Sequence, residues 1–306
     1  MKNVCYLVIG STGFIGRSVC KQIKNKNNLY TISRHKIKRM NSKKHFSIDL
    51  KNIKQVNKIL NELKKNYKKI NVIFLAGESS VENSILNPKS SINESIFIFH
   101  NIITSLLNYN ATIIYASSGS IYDSRNKVSF HENDIIRPPS PYAAIKYASE
   151  GIAMSYNETF STDIRIARIF SVFGETMNRF FMYDLVKKLY ESKKYIKLRG
   201  SGNQERDYLH VDDVAEGLLT ILKNGGKGEI YNLCSGKPIK LRILAKKIRK
   251  ILNKDDIEII WDKKETKGIR DCWYGNNNKI KKIGFRSQKS FQMRLNSTIK
   301  QIYSNL

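Results

Sequence analysis

Val4-Cys5-Tyr6-Leu7-Val8-Ile9-Gly10-Ser11-Thr12-Gly13-Phe14-Ile15-Gly16 is the stretch on which the fold turns. Its first six residues are apolar without alternation, as in a strand buried on both faces. From Phe14 to about Lys24 the apolar spacing becomes helical. The glycines between follow Gly-x-x-Gly-x-x-Gly, one residue longer at the start than the most familiar dinucleotide fingerprint. Strand, glycine turn and helix in this order open a nucleotide-binding βαβ unit. Gly10 permits the sharp turn, Gly13 lets backbone approach a pyrophosphate, and Gly16 brings the helix close to the sheet. The helix N-terminus then faces phosphate, and Thr12, Phe14 and Ile15 join the glycines as candidate cofactor contacts.

Working outward, Leu29 to Ser33 reads as a second strand followed by Arg34, His35, Lys36, Lys38 and Arg39. An acidic residue at that strand end would bind the ribose hydroxyls of NAD, whereas an arginine accommodates the extra phosphate of NADP. Arg34 therefore favours NADP over NAD. Ser42 to Ile48 is a candidate third strand leaving Asp49 and Leu50 beside the adenine, and Asn52 to Tyr67 an amphipathic helix. Val72 to Gly77 is a fourth buried strand whose Leu75, Ala76 and Gly77 run beneath the cofactor; Glu78-Ser79-Ser80-Val81 then enters the cleft. A long helix is expected from near Pro88 to Leu107. A fifth strand, Ala111 to Ala116, ends in Ser117-Ser118-Gly119-Ser120-Ile121-Tyr122. This alternation predicts an α/β fold, a Rossmann doubly wound parallel sheet.

In Ser140-Pro141-Tyr142-Ala143-Ala144-Ile145-Lys146, Ser140 suits a helix cap and Pro141 a first turn. Tyr142 and Lys146 then fall four residues apart on one face. An ammonium beside a phenol favours phenolate, so Lys146 is expected to lower the Tyr142 pKa and make it a proton donor or acceptor. Ser118 is the third candidate catalytic group.

The chain has 306 residues and 41% apolar content, enough for one large or two modest domains. Its formal charge of +28 would raise nucleic acid as a partner, but the basic residues are spread along the chain and no recognised binding module accompanies them. Anionic small molecules remain natural ligands. Cys5, Cys20, Cys234 and Cys272 form no Cys-x-x-Cys pair, which argues against zinc or a disulfide framework and fits a reducing cytoplasm. No apolar run reaches membrane-spanning length.

Taken together these residues resemble the extended short-chain dehydrogenase/reductase family of nucleotide-sugar epimerases, dehydratases and 4-keto-reductases. The likeness continues through Arg168-Ile169-Phe170-Ser171-Val172-Phe173-Gly174, Arg206-Asp207-Tyr208-Leu209-His210-Val211-Asp212-Asp213-Val214 and Tyr231-Asn232-Leu233-Cys234-Ser235-Gly236. It implies that Ser118 hydrogen-bonds a sugar oxygen, Tyr142 exchanges its proton and Lys146 grips the nicotinamide ribose. Ala116, Ile169 and Phe170 would line the cofactor pocket, and Ser79, Ser171, Arg206 and Arg270 the substrate side, Arg206 clamping the diphosphate. His210 would be structural, with Asp212 or Asp213 capping the next helix. The family's usual Asn at the start of the fourth crossover helix matches none of Asn93, Ser95 and Asn101 clearly.

Gly119-Ser120 replaces the Asp-Glu pair of family dehydratases, and Ser120 the catalytic Cys of the GDP-fucose synthase group, which disfavours both chemistries. The expected organisation is an NAD(P)-binding domain over residues 1–170, to which 207–224 return, and a smaller substrate-binding lobe over 171–306. A homodimer through helices near 88–107 and 142–160 is a further implication. The favoured function is an NADPH-dependent 4-keto-6-deoxy-sugar reductase acting on a nucleotide-diphosphate hexose; the alternative is an NAD-dependent 4-epimerase. A non-catalytic nucleotide-sensing or nucleic-acid-binding protein is a third reading, opposed by the presence of Ser118, Tyr142 and Lys146.

Overall fold

The computed structural model describes residues 2–35, 41–122, 129–264 and 272–306; Arg270, Lys36, Lys38 and Arg39 lie outside the described residues. The central sheet is built from β1 (Lys2–Ile9), β2 (Leu29–Ser33), β3 (Lys44–Ser47), β4 (Tyr67–Phe74), β5 (Ala111–Ser118), β6 (Asp163–Ile169) and a seventh strand, Ile230–Leu233. Its order is Ile230–Leu233, β6, β5, β4, β1, β2, β3, and each pairing is parallel. The order reverses between β1 and β4, so successive crossovers leave on opposite faces and open a crevice at the carboxyl ends.

Both faces of the sheet are covered, which is why its strands read as unbroken apolar runs. On one side Val8, Ile73, Ile114 and Ala167 meet α1 (Phe14–Gln22) and the helix Val211–Asn224. On the other, Leu7, Val72, Tyr115 and Ile166 meet α2 (Ile53–Asn66), the helix Ile98–Ser105 and the helix Pro141–Phe160. A separate core joins the helices Phe180–Glu191, Leu241–Ile251 and Phe291–Ser304 around Leu185, Leu244 and Leu295. Beside it, strand Glu205–His210 pairs with Ser171–Phe173, Pro238–Lys240 and Cys272–Trp273. No described helix is long and apolar enough to cross a membrane.

Two local expectations are corrected. The stretch from Pro88 to Leu107 is not one α-helix: Pro88–Ile92 passes through a π-helical turn, Asn93–Phe97, before Ile98–Ser105. The wider turn brings Ser95 inward, where its hydroxyl accepts the Glu78 N–H at 2.9 Å. Gly16 lets the first turn of α1 pack against the end of β1, since a Cβ there would stand 2.3 Å from the Gly10 carbonyl oxygen. The cap of helix Val211–Asn224 is His210, whose Nδ1 accepts the Asp212 N–H at 3.2 Å, and not Asp212 or Asp213.

Candidate active site

A cavity of about 1080 Å³ opens over the carboxyl ends of the strands. Into it the β1–α1 turn brings Gly10, Thr12, Gly13, Phe14, Ile15 and Gly16; the ends of β2 and β3 bring Arg34, Asp49 and Leu50; and β4 runs into Leu75, Ala76 and Gly77. From β5, β6 and the helix Pro141–Phe160 come Ala116, Ser118, Ile169, Phe170, Tyr142 and Lys146, while Ser79, Ser171 and Arg206 complete the wall. One cavity thus gathers the candidate site residues that fall within the described parts of the chain.

The glycine turn fits a dinucleotide phosphate. Gly10 has φ +83°, and a Cβ on it would press on the Leu75–Ala76 backbone at 2.9 Å. Gly13 caps α1 with no side-chain bond, so the N–H groups of the first helical turn remain for an anion. Bare backbone around a concave turn is what close approach by a pyrophosphate needs.

The proton-handling groups are set by local rules. Ser140 accepts the Ala143 N–H at 3.3 Å and Pro141 occupies the first turn, which starts the helix where the sequence places it. Tyr142 N–H is held by Ser84 Oγ at 3.0 Å. Ser118 lies 3.0 Å from Ser120 Oγ and hydrogen-bonds the Tyr142 phenol.

The electrostatics correct one expectation. The Tyr142 pKa is raised, chiefly by burial of the phenol and further by the Glu78 carboxylate; the Ser118 hydrogen bond and the Arg179 cation act the other way. Lys146 does not acidify it here, because its ammonium donates to the Ala116 carbonyl at 3.0 Å and stands 5.9 Å from the Tyr142 ring centre. Burial lowers Lys146 itself to about 8, partly offset by Glu78 and Glu150. Burial also pushes Glu78 upward, but hydrogen bonds from Ser80, Asn83, Ser79 and Ser91 prevail and hold it below the ordinary carboxylate range.

Behind Ser118 lies a buried polar network. Arg168 and Glu150, exposed by 2% and 0%, form a 2.7 Å ion pair, and Ser117 donates to the same carboxylate. Arg168 also donates to the Tyr122 hydroxyl at 2.8 Å, which in turn donates to Asn232 at 2.7 Å. The network fastens β5, β6 and the seventh strand together beneath the site.

Sequence reasoning missed several groups that line the cavity, among them Glu94, Arg179 and Trp273. Glu94 binds Arg34 at 2.6 Å and Lys51 at 2.6 Å. Arg179 donates to Ser79 Oγ at 2.9 Å across 100 residues of chain, and Trp273 lies tilted against Phe170, ring centres 5.8 Å apart, with the Arg206 guanidinium 5.9 Å from its ring centre. No local spacing announces such contacts.

Comparison with known proteins agrees with this geometry. A family model described as the NAD dependent epimerase/dehydratase family matches residues 6–234. A UDP-glucuronate 4-epimerase of Thermodesulfobacterium geofontis is 30% identical over 84% of this chain and 86% of its own length. A GDP-6-deoxy-D-mannose reductase of Pseudomonas aeruginosa is 28% identical over 62% of this chain and 66% of its own. The crystal structure of a Thermotoga maritima UDP-glucose 4-epimerase with UDP-glucose superimposes with a TM-score of 0.87 at 21% identity, covering 98% of this chain and 99% of that one.

Proposed function

Because the chain belongs to the NAD dependent epimerase/dehydratase family, we propose that this NAD(P)-dependent nucleotide-sugar enzyme acts at C4 of a nucleotide-diphosphate hexose, as a 4-epimerase using NAD. The observation that carries the choice is the state of Arg34. Its position after β2 favours NADP and a reductase, but Glu94 already pairs it at 2.6 Å. The 2′-phosphate that distinguishes NADP, brought to Arg34, would meet the Glu94 carboxylate, a like charge that NAD does not bring. The relative from T. geofontis, matched over most of both chains, is itself named a 4-epimerase.

In this reading bound nicotinamide supplies the hydride acceptor and donor. Tyr142 exchanges a proton with the C4 oxygen, Ser118 hydrogen-bonds that oxygen, and Lys146 holds the nicotinamide ribose. The glycine turn carries the pyrophosphate, with Arg34, Asp49 and Leu50 at the adenosine end and Leu75, Ala76, Gly77, Ala116, Ile169 and Phe170 around the rest. Ser79, Ser171 and Arg206 face the substrate, Arg206 gripping its diphosphate, and the lobe within residues 171–306 supports that side. The homodimer face belongs to the same proposal; on its helices Ile92, Phe97, Tyr147 and Met154 are exposed apolar groups.

The second reading, an NADPH-dependent 4-keto-6-deoxy-sugar reductase, draws on the P. aeruginosa relative named as a reductase. Nucleotide sugars incubated with purified protein and each cofactor, followed by mass spectrometry and nicotinamide absorbance, separate the two. Interconversion of C4 epimers without net nicotinamide oxidation is expected. Stoichiometric NADPH oxidation with a 4-keto sugar would replace it by the reductase, and salt-sensitive RNA binding without turnover by the non-catalytic reading. In a separate binding titration Glu94→Ala, which removes that like charge, should strengthen NADP binding more than NAD binding; an equal effect on both would take the Arg34–Glu94 pair out of the choice.

A further inference from the structure

The turn Gly174 to Phe180 carries Met177 and Arg179 into the cavity, and its geometry is unusual at both ends. Downstream, Phe180 adopts φ +71°, a left-handed conformation that a bulky side chain takes only when its surroundings impose it. The Arg179 guanidinium lies 4.7 Å from the Phe180 ring centre and reaches Ser79 at 2.9 Å. Upstream, Glu175 is tied to two other elements. His210 Nδ1 already accepts the Asp212 N–H, so its Nε2 carries the hydrogen and donates to Glu175 Oε2 at 2.9 Å. Ser297, on the last helix, donates to Oε1 at 2.8 Å. The His210 bond foremost, then a backbone hydrogen bond at Glu175 and the Ser297 bond, hold the Glu175 carboxyl at about 2 against its partial burial. His210 is itself immobilised, 2% exposed and edge-on to Phe173 at 5.3 Å. The anchor is therefore rigid, the far end is strained, and beside that end sits a cation bonded to Ser79 whose charge acts on the Tyr142 phenol.

We infer that Glu175 is a positioning residue: its carboxylate, clamped by His210 and Ser297, fixes the turn that aims Arg179 at the sugar side of Tyr142. The inference rests on the reading of Tyr142 as the proton-exchanging group. With the clamp in place, Arg179 offers a cation beside the phenol and Ser79, opposing Glu78 across the same group. Without it, the strained backbone at Phe180 relaxes and the guanidinium leaves.

The test compares Glu175→Ala, Glu175→Gln and Ser297→Ala with the wild-type protein. Four readouts are used: KM for the nucleotide sugar, KM for the cofactor, the pH dependence of kcat/KM, and Tm. Glu175→Ala should raise the sugar KM by about tenfold, the scale of one lost charge-assisted contact, with cofactor KM within about twofold. It should also move the Tyr142 limb of the pH profile to higher pH, because the cation opposing Glu78 is lost. Glu175→Gln keeps an acceptor for His210 and should restore most of both. Ser297 is exposed, so Ser297→Ala tolerates truncation if Glu175→Ala does not fold, and should shift the same two readouts in the same direction by less. A fall in Tm with sugar KM and pH limb unmoved would make Glu175 merely structural and overturn the inference, as would wild-type behaviour of the Ala variants. A wild-type protein that neither binds nor turns over any nucleotide sugar would instead refute the proposed function.

Discussion

At the residue scale, Tyr142 and Lys146 share one helix face yet answer to different neighbours, the phenol to Ser118, Glu78 and Arg179 and the ammonium to the Ala116 carbonyl. Ser140, Pro141 and a four-residue spacing are local rules, so Tyr142 and Lys146 could be placed on one helix face from sequence. The direction of the Tyr142 shift depends on burial and on Glu78 and Arg179, which arrive from other elements. Two outcomes follow from the geometry. Tyr142→Phe should keep cofactor affinity, measured by titration, while turnover falls by about 10²–10⁴-fold. Lys146 gives a stability signature in the cofactor-free protein. Its pKa is about 8 in the fold against 10.5 for an ordinary lysine, so between those values the unfolded chain binds more protons and stability rises with pH. Below about pH 8 the buried ammonium is charged and its cost is fully present. Relative to Lys146→Met, the wild-type unfolding free energy from urea titration should climb by up to about 3 kcal/mol across that window.

At the scale of elements, the first strand, its glycine turn and α1 were readable because strand burial, turn chemistry and helix pattern agree within one short stretch. Asn52 likewise caps α2 by accepting the Gln55 N–H at 3.2 Å. The π-helical turn Asn93–Phe97 was not readable. It adds a residue to one turn without altering the apolar composition around it, so Ile92, Phe97 and Ile98 still resemble a continuous helix. The glycine turn yields a sharp expectation: Gly16→Ala places a methyl against the Gly10 carbonyl, and backbone on both sides has no side chain to move aside. A loss on the order of 1–3 kcal/mol by chemical denaturation is expected, together with weakened dinucleotide binding by calorimetry.

At the scale of the whole molecule, Arg168 could be read only as part of a motif, because its partners Glu150, Tyr122 and the Glu132 carbonyl come from three separate stretches of chain. The seventh strand lies in the stretch expected for the substrate-binding lobe, 171–306, yet it joins the central sheet beside β6, since long-range pairing leaves no local mark. Glu150→Ala strands a buried guanidinium, and should lower unfolding free energy by about 3–5 kcal/mol in denaturant titration. The same long-range pairing has a consequence for biosynthesis. β6 receives its outer neighbour only when Ile230–Leu233 has left the ribosome, so while residues 170–229 are translated an apolar border of unsatisfied amides stays open, on the order of seconds at usual elongation speeds. A nascent chain halted within that interval should be the form most prone to aggregate and most dependent on chaperone capture.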